Sequence, residues 1–454
     1  MRKIIQYMMM ALIAVVLASC ANDISEESTP TVKSNIRFVV DDFPMFEKPS
    51  TRTIGEEDKG KTAWAVGDEI CVKLESKELG TQTATLKYNG VKFEIQDGNS
   101  LCYLDGEPVT AYAYYAPNRR WRNGSLDFKD IFGNPNGTAE FLEATCTVHY
   151  GDNNYVDISF ANATRNYSRL RIATIPKTEI KVDADNFAPT DNPNLLYMTY
   201  TLTSDEKGNA YLYGTFDNNS IVTVKYRGAT LKTYKFSKET ENAKSYVLDA
   251  TVISANSAEE IYSAIKQEVA NSKTAIRLNL ASDAGDNEFN AIREAFENVK
   301  SGTIDLTLIG CKEIPVNGLY RIMALKSITL PDVTKIRMDA LSSCLSLQEI
   351  CAPNVSAIDE YAFGKCRYLR KVTLGKLTDV RGEANSRSGI FDDINDLYPD
   401  IDLYLPKNQE VMEFDENSKQ YIWKPTGESY FASPDYYDNG IFLGYQFHSV
   451  KSWE

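Results

Sequence analysis

Residues that could do side-chain chemistry are few in this chain and badly placed for it. His149 and His448 are the only histidines, so proton transfer near neutral pH would rest on two distant groups. Neither stands in a Cys/His or His/Glu cluster of metal-ligand spacing. Carboxylates number 63, too many for any pair to be distinctive, and no nucleophile elbow or phosphate-cradling loop is present. The expectation is no catalytic residue, no metal and no cofactor. With 49 basic residues against those acids the formal charge is −14, which disfavours non-specific attraction to nucleic acid.

One thiol does invite chemistry. Arg2 and Lys3 precede an apolar stretch from Ile4 to Leu17, and Leu17-Ala18-Ser19-Cys20 follows. That string resembles a bacterial lipobox, which implies removal of residues 1–19 as a signal peptide and acylation of Cys20. Each buried acyl methylene contributes about 0.8 kcal/mol, so several chains would tether the protein to a membrane. No later segment is apolar for long enough to span one. Residues 20–34 read as a polar linker. Asp23, Glu26 and Glu27 within it suit a solvated tether, and also resemble the surface-export signals of Bacteroidetes-type lipoproteins.

The positioning elements are clearest in the C-terminal half. Leu325, Leu347 and Leu369 are 22 residues apart, as are Ile328, Ile350 and Val372, then Leu330, Ala352 and Leu374. Val333, Val355 and Leu377 follow the same step, as do Ile336, Ile358 and Val380. A fixed period in this range marks a solenoid whose coils bury their apolar faces only by stacking. Cys344 and Cys366 occupy equivalent places, about 5 Å apart on strand spacing. Parallel Cβ vectors make a disulfide there poor in geometry, so both are expected as buried thiols.

Two helix–strand units precede the regular coils. Ser257 with Glu260 signals a capping box ahead of Ile261, Ile265 and Val269, and Phe289, Ile292, Phe296 and Val299 form a second stripe. The strands behind them are expected at 276–280 and 304–308. Ala340 to Leu347 and Ala362 to Leu369, each leading into a short strand, resemble BspA-like leucine-rich repeats. Outward strand residues are then Asp305, Thr307, Ser327, Thr329, Glu349, Cys351, Lys371 and Thr373, a candidate partner-binding face. After Gly382 the period fails, Asp402 to Pro406 reads as a last coil strand, and the aromatic tail is expected to cap the solenoid. Alternation from Ile441 to His448 suggests one further strand, a candidate for donation to a partner.

Ahead of all this the period is two. Ile36, Phe38 and Val40 alternate, as do Ile70, Val72 and Leu74, with turn pairs such as Asn89-Gly90 and Asn136-Gly137 between such runs. Tyr (27) outnumbers Phe (19), which suits sheet surfaces. Asn35 to Val40, Thr51-Arg52-Thr53 and Trp64 to Ile70 resemble the opening of fimbrillin-family (Mfa-like) proteins. The resemblance implies two transthyretin-like antiparallel β-sandwiches and a protease site, for which Arg52 is the candidate and Arg37 a second. Trp64, Gly67 and Asp68 read as structural, a ring at a sheet edge and a turn.

The expected chain is thus multidomain and β-rich. Sandwiches at 35–165 and 166–253 lead to a leucine-rich-repeat solenoid with helical first repeats at 254–405, and an aromatic cap or tail at 406–454. Repeat arrays mostly bind macromolecules. The expected function is a surface-anchored lipoprotein adhesin, outer-membrane-tethered, meeting an extracellular protein or glycan. The alternatives are an accessory or tip subunit of a fimbrial polymer, or a glycan-capture protein suggested by the aromatic tail and Arg119-Arg120-Trp121-Arg122.

Overall fold

The computed structural model describes residues 32–33, 36–49, 59–96, 101–104, 106–117, 119–122, 125–127, 135–151, 154–161, 165–191, 194, 197–382, 389–392, 400–415 and 422–453. Strands dominate, and helices are few. Cys20 and Arg52 lie outside the described residues, as do the signal segment and most of the linker.

The period-two segment folds into two successive large sheets, with two short two-stranded pairs beside the first. The first runs Arg37–Val40, Tyr155–Ser159, Leu142–His149, Val109–Tyr115, Glu69–Ser76, Gly80–Tyr88, Phe93–Ile95. Its ladders are antiparallel except the first, where Arg37–Val40 lies parallel to Tyr155–Ser159. Alternation places Phe38, Ile70, Val72, Leu74, Leu86 and Val156 in one apolar core. Trp64 packs against it edge-on to Phe43 (4.8 Å) and Phe93 (5.0 Å), and its Nε1 donates to the Asp41 carbonyl at 2.7 Å.

The second sheet orders Tyr197–Thr203, Glu179–Pro189, Asn209–Tyr226, Ser168–Ala173 and Ser245–Asp249. The 18-residue strand Asn209–Tyr226 pairs with Ser168–Ala173 along its first half and Ala229–Lys235 along its second. A separate core gathers Leu170, Ile172, Val182, Phe187, Tyr200, Phe216 and Val224.

The 22-residue period becomes a parallel sheet of eight strands: Ile253–Ser254, Ala275–Asn279, Ile304–Ile309, Leu325–Thr329, Glu349–Ala352, Lys371–Leu374, Asp402–Leu405 and Ser449–Ser452. Ile328 pairs in register with Ile350, Ile350 with Val372, and Val372 with Leu403, every one fully buried. Leu306 and Ile276 extend this spine at one end and Val450 at the other. A second ladder stacks Ile314, Ile336, Ile358 and Val380. Each coil turns its third side through two left-handed residues, at Asn317, Asp339 and Tyr361 and again at Arg321, Ser343 and Lys365, all with φ from 55° to 62°. The corner recurs at the same 22-residue step as the core.

Two helices, α1 (Ala258–Ala270) and α2 (Asp286–Ala295), sit in the first coils with Ile261, Ile265, Phe289 and Ile292 buried. The α1 cap differs slightly from the capping box expected. Ser257 Oγ accepts from Glu260 N, but the Glu260 carboxylate accepts from Asn256 N, one residue early. Gly310 (φ +87°) passes so close to Leu280 that an added Cβ would meet its carbonyl oxygen at 2.1 Å, so only glycine fits where helical coils hand over to regular ones.

The tail departs from expectation. Ile441 to His448 is not one strand: Ile441–Phe442 and Tyr445–Gln446 form a hairpin, turned through Leu443 (φ 51°) and Gly444 (φ 77°). Phe442, Leu443, Tyr445 and Phe447 are all buried in the solenoid core, from both sides of the expected alternation. Apolar alternation cannot separate a two-sided buried hairpin from a one-sided strand.

Candidate binding surface

The outward rows of the solenoid sheet lie where alternation puts them. Asp305, Ser327, Glu349 and Lys371 pair laterally in one row, and Thr307, Thr329, Cys351 and Thr373 in the next. Asp402 and Tyr404 continue them, as do Ser449 and Lys451. These four were missed because the loop after Gly382 breaks the step from 22 to 31 residues. Applying the same in–out rule to Asp402–Leu405 would have found the first two.

Much of the row charge is paired within the face. Ser327 Oγ donates to Asp305 at 2.6 Å, and Lys371 Nζ lies 2.6 Å from Glu349. Tyr404 sits between two ammonium groups, Lys371 and Lys451, at 5.7 and 5.9 Å from its ring centre. Cys351 is half-buried, and burial pushes its thiol up to about 11.

Thr307 must be removed from the candidate face. It is only 7% exposed, and its row neighbour Arg277 donates from Nε to the Leu231 carbonyl of the second sheet at 3.0 Å. Ile309, two residues on, belongs to the second sheet's core. The preceding β-domain therefore covers this end of the solenoid. Next to it Asp332 is 3% exposed, accepts from Gly310 N at 2.9 Å, and faces Arg227 at 2.7 Å and Lys312 at 3.6 Å. Asn354 Nδ2 reaches the Arg227 carbonyl at 2.9 Å. The open part of the face runs from Glu349 and Cys351 to Tyr404 and Lys451.

Other candidates fall elsewhere. Arg37 lies within the strand parallel to Tyr155–Ser159, its guanidinium 5.5 Å from the Tyr155 ring centre. Arg120–Arg122 is a short strand paired with Ser125–Asp127 rather than a loop, and its side chains lie outside the described residues. His149 Nε2 meets Asp157 and His448 Nδ1 meets Asp402, each at 2.9 Å. Among the described residues no group of three or more His, Cys, Asp and Glu is placed to hold a metal ion, and no helix is long and apolar enough to cross a membrane.

Residues 290–392 match the family model for the BspA type leucine rich repeat region, in 6 copies. No curated protein matches the chain. Among solved structures, a candidate cell adhesion protein from Bacteroides fragilis NCTC 9343 is 11% identical, covering 48% of this chain and 93% of its own at a TM-score of 0.23. The shaft pilin SpaA from Lactobacillus rhamnosus GG is 12% identical, covering 47% and 94% at 0.19. The fimbrial anchor protein Mfa2 from Porphyromonas gingivalis is 10% identical, covering 43% and 80% at 0.21. Scores this low leave the fold of the front half to be argued from its own strand order. The repeats are on firmer ground: the chain carries a BspA type leucine-rich repeat region behind two β-sheets with separate cores.

Proposed function

We propose that this protein is a surface-anchored lipoprotein adhesin, tethered to the outer membrane through acylated Cys20 and presenting its solenoid to an extracellular protein or glycan. In this reading the two front sheets are consecutive transthyretin-like sandwiches at 35–165 and 166–253. The solenoid occupies 254–405, closed at its first coils by α1 and α2 and at the other end by the aromatic cap of 406–454. The observation that carries it is the docking of the solenoid on the second β-domain through Arg277, Asp332 and Ile309, which leaves the rows from Glu349 to Lys451 facing outward. A recognition face on a firmly seated, parallel-stacked scaffold is what repeat proteins use to bind macromolecules. The contact set within it is Glu349, Lys371, Thr373 and Tyr404, with Ser327 and Thr329 on the next strand toward the covered end and Asp305 at the covered margin.

Arrays of immobilised matrix proteins and glycans, probed with the full chain and with a Glu349→Ala/Thr373→Ala/Tyr404→Ala variant, test this. Saturable binding that drops at least tenfold in the variant supports it. Binding of the variant equal to that of the parent chain rejects it.

A second reading, an accessory or tip subunit of a fimbrial polymer, has its own motive. A groove of about 660 Å³ opens between Arg37–Val40 and Phe93–Ile95, the two ends of the first sheet, with Trp64 and Val91 in its lining. Cleavage after Arg52 belongs to this reading. Donation of the C-terminus does not, because Ser449–Ser452 is already a strand of the solenoid sheet. SDS-resistant ladders in cell extracts would favour it. Glycan capture by the aromatic tail would fall to Phe431, Tyr436 and Tyr437, which are partly exposed, since Tyr430, Phe442, Tyr445 and Phe447 are interior.

A further inference from the structure

On a chain with fourteen more acids than bases, one corner of the solenoid has the opposite sign. Stacked coils bring together the segments 298–303, 320–326, 342–348 and 364–370, which run into the eight-stranded sheet. Backbone hydrogen bonds join them: Gly302 N to Met323 O at 3.0 Å, Arg321 N to Ser342 O at 3.1 Å, Gln348 N to Lys326 O at 2.8 Å and Arg370 N to Gln348 O at 2.9 Å. These segments contain Lys300, Arg321, Lys326, Lys365, Arg367 and Arg370 and not one acidic residue. All six cations are exposed. Among the described residues the carboxylates nearest this corner stand at its margin: Asp400 lies 3.8 Å from Arg370, Glu349 engages Lys371, and Asp392 sits on the segment that accepts from Lys365 N at 3.0 Å.

Apolar groups are interleaved with these charges. Tyr368 is 60% exposed and Met323 41%. A shallow groove of about 450 Å³ runs beside the corner, walled by Phe296, Val299, Tyr320 and Met323 and flanked by Arg293 and Arg321, with Glu297 on its lip. The cations lie on three of the four stacked segments: Lys300 on the first, Arg321 and Lys326 on the second, none on 342–348, and Lys365, Arg367 and Arg370 on the fourth, two steps of about 4.8 Å beyond the second. That arrangement holds repeated charges along a line rather than one small anion. We propose that this corner binds a linear anionic polysaccharide, its acidic groups along the basic row and a sugar ring against Met323 in the groove.

Charge complementarity selects a thin chain. A bulky acidic protein would bring its surface against the net negative remainder of this one, whereas a narrow polymer can follow the corner alone. Single-stranded nucleic acid needs several free ring faces for stacking. Here Tyr368 is open, but the Arg321 guanidinium lies 5.8 Å from the Tyr320 ring centre and competes for that face. The proposed site is separate from the outward rows of the sheet, so the two readings can fail independently.

The test uses the full chain in detergent with heparin as probe, beside dextran and a single-stranded oligonucleotide. Heparin should bind saturably, weaken as salt rises, and bind at least tenfold less tightly to Arg321→Glu/Lys326→Glu/Arg367→Glu. A control reversing Lys177, Lys207 and Lys238 in the second β-domain should bind like the parent, as should Glu349→Ala/Thr373→Ala/Tyr404→Ala. If the charge-reversed corner misfolds by circular dichroism, Arg321→Gln/Lys326→Gln/Arg367→Gln takes its place with at least a threefold loss expected. No heparin binding, an equal loss in either control, or tighter binding to the oligonucleotide would each overturn the proposal.

Discussion

Arg227, at the tip of a hairpin in the second β-domain, places its guanidinium 2.7 Å from the Asp332 carboxylate in the solenoid. Arg227 is 54% exposed and Asp332 only 3%, so the two ends of this pair are unequal. The buried carboxylate also serves Gly310 N, where the coils change type.

That inequality gives the first prediction. Arg227→Ala removes a largely solvated partner and should cost up to about 1 kcal/mol. Asp332→Ala strands a buried amide and should cost about 1–3 kcal/mol. Thermal unfolding of both variants checks the order. Small-angle scattering should show a larger radius of gyration only for Asp332→Ala, and equal effects of the two changes would mean that the pair, not the carboxylate, holds the joint.

The stacked spine predicts a sharp contrast between two nearby residues. Ile350 is fully buried between Ile328 and Val372, whereas Thr373 points outward. Ile350→Ala should cost about 2–5 kcal/mol as a core truncation. Thr373→Ala should stay within about 0.5 kcal/mol. Denaturant unfolding with hydrogen exchange across residues 325–374 separates them, and loss of protection should spread to both adjacent coils because each is the other's core.

How far the sequence discloses such things depends on whether a rule is local or tertiary. The step joining Ile328, Ile350 and Val372 is local and repeats, so spine, ladder and outward rows follow from it. The α1 cap needs only Ser257 and Glu260, and came within one residue. Burial of Thr307 follows from a neighbouring domain seated on its row, and no spacing around Thr307 encodes that. Asp332 after Pro331 looks like an ordinary turn residue until Gly310 and Arg227 are brought to it. The basic corner was legible as four aligned segments without an acid, but a net charge averaged over the chain hides it.

The thiols supply an independent probe of the stack. Cys344 Sγ donates to the Leu319 carbonyl at 3.1 Å and Cys366 Sγ to that of Leu341 at 3.2 Å, one coil back in each case. Burial pushes the Cys311 and Cys344 thiols up to about 12 and Cys366 well above its ordinary value, so little thiolate forms at neutral pH. Iodoacetamide at pH 8 should leave these three unmodified in the native chain and label all of them in denaturant, read by mass spectrometry. Labelling of Cys344 in the native state would mean that the coils open.

The end of the sheet should be acid-sensitive. Ser449 and His448 hydrogen-bond to the Asp402 carboxylate and Lys451 lies 3.7 Å away, which together hold its pKa below the usual aspartate range. A carboxylate depressed in the folded state stabilises fully above its unfolded value of about 3.9 and loses that contribution as pH falls through the lower folded value. Strand Ser449–Ser452 is held by this cluster, by its ladder to Asp402–Leu405, and by Trp453 Nε1 donating to the Leu374 carbonyl at 2.9 Å. Amide exchange in that strand should therefore quicken below about pH 4, before the ladder joining Ile350 to Val372 loosens. Asp402→Asn should exchange faster at neutral pH and lose the acid step, because the substituted amide cannot titrate. An unchanged acid step in that variant would assign the effect to other carboxylates, and the last strand would then be held by its ladder to Asp402–Leu405, Val450 and Trp453 without the Asp402 charge.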